Sequence, residues 1–178
     1  MEFADRVLNL KAEGAYEMLA RAQVLEAAGH SIIHLEIGKP DVATFPHIAD
    51  AGIEAIQNGH TRYTPSAGMP ALRKAIAVDA SQRRGLEIQA NQVVIGPGAK
   101  PFLFFPTLAL VQPGDEVIYP DPGFPTYEAM IQVAGGIAVP VPLLEHNNFS
   151  FDLAAFDHLV NRRTRLIILN SPGNPTGS

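Results

Sequence analysis

Pro113-Gly114-Asp115-Glu116-Val117-Ile118-Tyr119-Pro120-Asp121-Pro122-Gly123-Phe124-Pro125-Thr126-Tyr127 is the stretch that decides the fold. Pro113-Gly114 marks a turn, Glu116-Val117-Ile118-Tyr119 is an apolar run of strand length, and Asp121-Pro122-Gly123 is a second break. A helical stretch at about 125–134 follows. Asp115-Glu116, coming directly after a Pro-Gly turn, reads as the way into a strand rather than as a pair of catalytic carboxylates. The same rhythm recurs on either side. Val93-Val94-Ile95, Ile137-Ala138-Val139 and Leu166-Ile167-Ile168-Leu169 read as short buried strands, with helical stretches at about 102–112 and 152–160. Strands and helices alternating at this spacing predict βαβ units: an α/β fold with a mostly parallel sheet and flanking helices. Right-handed crossovers put the loops after the strands on one edge, where open α/β sheets bind ligands. Those loops are Gly96–Lys100, Pro120–Phe124 and Asn170–Gly177.

Ahead of this region a helix is expected over Ala12–Ala28, with Ala15, Met18, Leu19, Ala22 and Leu25 on one face and Gly29 as its stop. A β-type run, Ile32–Ile37, leads to Gly38-Lys39-Pro40-Asp41. Pro46 and Pro70 open two further helices that close at Gly59 and Gly85. The stretch Phe102–Val111 is apolar nearly all round, which predicts a buried helix, and Pro106 inside it predicts a kink or restart.

Composition narrows the function. The chain has 178 residues and no cysteine, which removes disulfide scaffolds, thiolate metal sites and cysteine nucleophiles together. A formal net charge of −5 without a basic run argues against nucleic acid or an anionic membrane as partner. The six histidines form no metal-ligating pattern, so no metal is expected. No apolar stretch has the length of a membrane span, and Met1–Asp5 lacks a secretory signal, so a cytoplasmic protein is the expectation.

Each strand-end loop could carry chemistry. Small residues in Gly96-Pro97-Gly98-Ala99-Lys100 let backbone N–H groups approach an anion at a helix N-terminus, with Lys100 adding a charge. Phe124 could stack on a flat heteroaromatic ligand. Asn174, between Gly173 and Pro175, offers both a donor and an acceptor. Taken singly, each loop reads equally as a tight turn.

Taken together and in order, they resemble a known family. Gly38-Lys39-Pro40-Asp41, Tyr63-Thr64-Pro65-Ser66-Ala67-Gly68, Pro113–Ile118, Pro122–Tyr127 and Ser171-Pro172-Gly173-Asn174-Pro175-Thr176-Gly177 are similar to the motifs of class I/II aminotransferases. These are fold-type I pyridoxal-phosphate enzymes of the aspartate aminotransferase superfamily. The resemblance implies an N-terminal half. Residues 1–44 would be a segment associated with the small domain, and residues 45–178 would be part of the large, cofactor-binding domain.

The resemblance also implies residue roles. Gly98, Ala99 and Lys100 would hold the phosphate of pyridoxal 5'-phosphate, Phe124 would stack on its ring, and Asn174 would bond its phenolic oxygen. Tyr63 would reach the phosphate of the neighbouring subunit, making a homodimer. Gly38 and Asn174 would lie beside the substrate, an amino acid or 2-oxo acid. Cis peptide bonds are implied before Pro122 and Pro175. The only lysines are Lys11, Lys39, Lys74 and Lys100, and none stands in the family's Ser-x-x-Lys setting. The Schiff-base lysine is therefore expected beyond residue 178, and the chain alone is expected to be inactive. Two alternatives stay open at this point: a carbon–sulfur lyase of the same fold type, and the effector domain of a transcription regulator.

Overall fold

The structure is a computed structural model that describes residues 2–8, 10 and 14–178. It divides into two compact units, one formed by Met1–Ile37 with Lys100–Ser178 and the other by Gly38–Ala99.

The first unit carries the sheet. Strand β1 (Glu116–Asp121) lies in the middle, β2 (Ile137–Pro142) on one side and β3 (Thr164–Ile167) on the other, all parallel. The central strand is buried on both faces, with Val117 and Ile118 fully inaccessible, which is why it reads as a continuous apolar run. Helices α5 (Lys100–Leu110), α6 (Thr126–Val133) and α7 (Leu153–Leu159) complete the βαβ pattern, and α1 (Asp5–Leu8) and α2 (Gly14–Ala27) precede it. Val111, Val117, Tyr127, Met130, Ile131 and Ile168 form the core, backed by Leu103, Phe104 and Leu166.

The two sheet edges differ. Ile137 N–H donates to the Asp115 carbonyl (2.8 Å) and Leu143 N–H to that of Asp121 (2.6 Å), so odd-numbered residues of β2 face β1. The outward-facing positions are 138, 140 and 142, and two of them are prolines without an N–H. That edge is closed to a further strand. Strand β3 has no proline.

The second unit contains α3 (Pro46–Gln57) and α4 (Pro70–Arg84). Both have proline in the first turn, and α4 ends on Gly85 in the left-handed region (φ 64°). Val93–Ile95, expected as a strand, is extended but pairs with no strand among the described residues. Its polar groups are met otherwise: Arg73 Nε donates to the Val93 carbonyl (2.7 Å), and Ile95 N–H donates to that of Ala67 (3.0 Å).

Three other expectations are corrected. Ile32–Ile37 forms no strand; Ile33 and Leu35 are exposed, and no ladder partner lies beside them among the described residues. Helix α5 is not buried all round: Leu103, Phe104 and Thr107 face the core, whereas Phe102, Phe105 and Leu108 are exposed among the described residues. It also continues through Pro106 as one element rather than restarting there. Ala12, the expected start of the long helix, lies outside the described residues, which show it from Gly14. No helix among them is long and apolar enough to cross a membrane.

Candidate functional site

Because the three strands are parallel, their C-terminal ends share one edge. A cleft of about 290 Å³ opens there, lined by Pro120 near the end of β1 and Pro122 just after it, Leu143 after β2, and Asn170 and Asn174 after β3, with Phe151 beside them.

The loop after β1 is tightly built. Asp121-Pro122 is cis, as the resemblance implies. A Cβ on Gly123 would run into the Pro120 carbonyl oxygen, so only glycine allows this turn. Tyr127 N–H then donates to the Phe124 carbonyl (3.0 Å), starting α6. Phe124 is half-buried, and its ring stands nearly perpendicular (82°) to that of Tyr127, with centroids 5.8 Å apart. Lys100 Nζ lies over the Phe124 ring, 5.5 Å from its centroid.

Tyr127 is 3% exposed. Burial pushes the phenol's pKa above its ordinary value, and the Asn170 side chain opposes part of that rise. Neighbouring Tyr119 is raised as well, first by burial and then by the charges of Glu128 and Asp121.

The loop after β3 folds back on itself. Gly177 N–H donates to the Gly173 carbonyl, and Gly173 N–H to that of Ser178, each at 2.7 Å. Asn174-Pro175 is cis, as implied, and Ser171-Pro172 is cis too, which was not anticipated. Asn174 is exposed on the cleft.

The third loop precedes α5. Gly98 has φ +77°, a conformation that suits glycine, and a Cβ built there meets nothing within 4 Å. The first N–H groups of α5 have no acceptor within the helix, so an anion can approach them over small, exposed residues. This donor set fits a phosphate group, as the half-open Phe124 ring fits a flat heterocycle.

The structure thus brings Lys100 beside Phe124 and puts the Phe124 and Asn174 loops on one edge. Gly38, Tyr63, Gly98 and Ala99 lie in the Gly38–Ala99 unit, with Tyr63 fully exposed. Tyr127 and Asn170 were not singled out from sequence. The signal available was faint: an aromatic three residues after Phe124, and an amide opening the loop after β3. Among the described residues no group of three His, Asp or Glu side chains could hold a metal ion.

Comparison with known proteins bears on the same residues. The family model of class I and II aminotransferases matches residues 30–178. The chain is 40% identical to an aspartate aminotransferase of Geobacillus stearothermophilus, over 99% of this chain and 45% of that protein. It is 39% identical to a probable aspartate/prephenate aminotransferase of Aquifex aeolicus, over 98% of this chain and 44% of that one. Among solved structures, an alanine aminotransferase from Pyrococcus furiosus superposes with a TM-score of 0.94 at 30% identity, covering 99% of this chain and 46% of its own. A Thermus thermophilus aspartate aminotransferase mutant superposes with a TM-score of 0.93 at 32% identity, covering 100% and 47%. The chain spans less than half the length of the curated relatives it matches.

Proposed function

Since the chain belongs to the class I and II aminotransferase family, we propose that it is the cofactor-anchoring portion of an enzyme that moves an amino group between an amino acid and a 2-oxo acid. Residues 1–44 form a segment associated with a small domain, and residues 45–178 form part of the large domain. Pyridoxal 5'-phosphate, when bound, supplies the electron sink that such chemistry requires.

The observation that carries this reading is the convergence of the Phe124 and Asn174 loops on one edge of a parallel sheet, beside the start of α5. Gly98, Ala99 and the α5 N-terminus hold the phosphate through backbone N–H groups, with Lys100 adding positive charge. Phe124 keeps the ring flat. Asn174 bonds the ring's phenolic oxygen and helps set its protonation. Gly38 keeps a small, exposed backbone beside the substrate carboxylate. Tyr63, exposed in the Gly38–Ala99 unit, serves the phosphate site of a second subunit in a homodimer.

None of the four lysines has the sequence setting of the family's catalytic lysine, and Lys100 stands at the phosphate end. We therefore propose that this chain binds the cofactor without turnover. The test is borohydride reduction of the purified chain mixed with pyridoxal 5'-phosphate, together with an assay of amino transfer from aspartate to 2-oxoglutarate. The expected result is reversible binding, no cofactor left on a lysine by mass spectrometry, and no transfer. A stoichiometric reduced adduct on one lysine would overturn the assignment.

A further inference from the structure

We propose that Lys100 guards the Phe124 ring, an inference that rests on the cofactor reading above. Its ammonium occupies the ring face that a flat heterocycle needs, and leaves that face when a phosphate group arrives at the start of α5. Lys100 is the first residue of α5 and Phe124 lies in the loop after β1, yet the Lys100 Nζ stands over the Phe124 ring, 5.5 Å from its centroid. At that distance the negative face of an aromatic ring holds a cation. A stacked heterocycle needs a ring face too, so lysine and ligand compete for one surface.

The two partners differ in freedom. The Phe124 carbonyl accepts the Tyr127 N–H (3.0 Å), and its ring stands at 82° to that of the buried Tyr127, 5.8 Å away. Gly123, just before it, has no room for a Cβ against the Pro120 carbonyl oxygen, so the loop has little slack. Lys100 is exposed and carries its charge on a four-carbon stem that swings by bond rotation alone. The lysine moves and the ring stays. Its destination follows from charge: the first N–H groups of α5 have no acceptor within the helix, and an anion held there lies beside the root of the Lys100 stem. An exposed contact between a cation and a ring carries about a two- to fivefold change in affinity. A heterocycle without a phosphate loses that factor in clearing the ring. One that carries a phosphate draws the ammonium away itself, so phosphate and ring bind with positive coupling.

The test uses the purified chain, inorganic phosphate and pyridoxine, a flat heterocycle with neither phosphate nor aldehyde, at an ionic strength held constant with chloride. NMR titrations follow pyridoxine binding, and equilibrium dialysis follows pyridoxal 5'-phosphate. In the unaltered chain, saturating phosphate should tighten pyridoxine about two- to fivefold, and pyridoxine should tighten phosphate by the same factor. Lys100→Ala changes one exposed side chain to a good helix former, so the fold is kept. It should bind pyridoxine as tightly without phosphate as the unaltered chain does with it, and phosphate should add nothing. Lys100→Arg, which keeps a cation for the ring, should keep the coupling. No effect of phosphate on pyridoxine in the unaltered chain, the same effect in Lys100→Ala, or weaker pyridoxine binding in Lys100→Ala each overturns the proposal. With saturable pyridoxal 5'-phosphate binding, such a result strikes the role of Lys100 alone. If pyridoxal 5'-phosphate does not bind, the cofactor reading itself fails, and the proposal with it.

Discussion

Arg163 donates from Nε to Glu116 Oε1 at 2.7 Å, joining the first residue of the central strand to the turn that enters β3, 47 residues away. Asn161 Nδ2 donates to the other carboxylate oxygen, also at 2.7 Å. The Glu116 side chain is 7% exposed while that of Arg163 is 68% exposed, so water screens the arginine more than the carboxylate. The two hydrogen bonds, Asn161 first and Arg163 second, hold the Glu116 pKa below its ordinary value of 4.5. A depressed carboxylate stabilises the fold above that ordinary value, and the contribution is lost as pH falls through the folded-state value. Glu116→Gln should therefore lower the melting temperature by about 2–4 °C or more at pH 7. Repeating the melts from pH 7 to pH 3 should bring the two proteins together.

His34 titrates in the opposite sense. Its Nε2 lies 2.9 Å from Glu26 Oε1 on α2 and its Nδ1 lies 2.6 Å from Glu36 Oε1. Both ring nitrogens can donate only in the imidazolium, so the hydrogen bonds to Glu26 and then Glu36 raise its pKa. This contribution is complete below the unfolded value of about 6.5 and disappears as pH rises through the higher folded value. In a proton-detected NMR titration, His34 should lose its charge at a pH above 6.5. Glu26→Gln and Glu36→Gln should each bring that midpoint down, with little change in melting temperature because the ring is exposed.

Gly123 should tolerate no side chain. Its Cβ position is occupied by the Pro120 carbonyl, so Gly123→Ala must displace backbone next to Phe124. A cost of about 1–3 kcal/mol in urea unfolding is expected, together with weaker pyridoxal 5'-phosphate binding. Gly98→Ala provides the contrast: open space surrounds it, so its cost comes from the positive φ alone.

The core and the outer face of α5 should respond differently. Ile118 is fully buried, and Ile118→Ala should cost about 2–5 kcal/mol. Phe105 is 63% exposed on the outer face of α5, and Phe105→Ala should change stability by less than about 0.5 kcal/mol in the same urea titration.

Much of this architecture is legible in the chain. The apolar run at Val117-Ile118, the Pro and Gly turns around it, and the repeating strand–helix spacing lead directly to the parallel sheet. The ordered motifs place the Phe124 and Asn174 loops and both anticipated cis prolines. What is not legible depends on partners distant in sequence. Val93–Ile95 has a strand's composition, yet its carbonyl meets the Arg73 guanidinium instead of a neighbouring strand. Helix α5 is apolar nearly all round, but periodicity cannot show that the Leu103, Phe104 and Thr107 side is the one that packs on the core.

The most direct test of the account is equilibrium dialysis of the purified chain against pyridoxal 5'-phosphate, with Phe124→Ala and Asn174→Ala alongside. The account predicts saturable binding at one site per chain, competition by inorganic phosphate, and affinity at least about tenfold weaker in both variants. Binding that does not saturate, or that is the same in all three proteins, would contradict it.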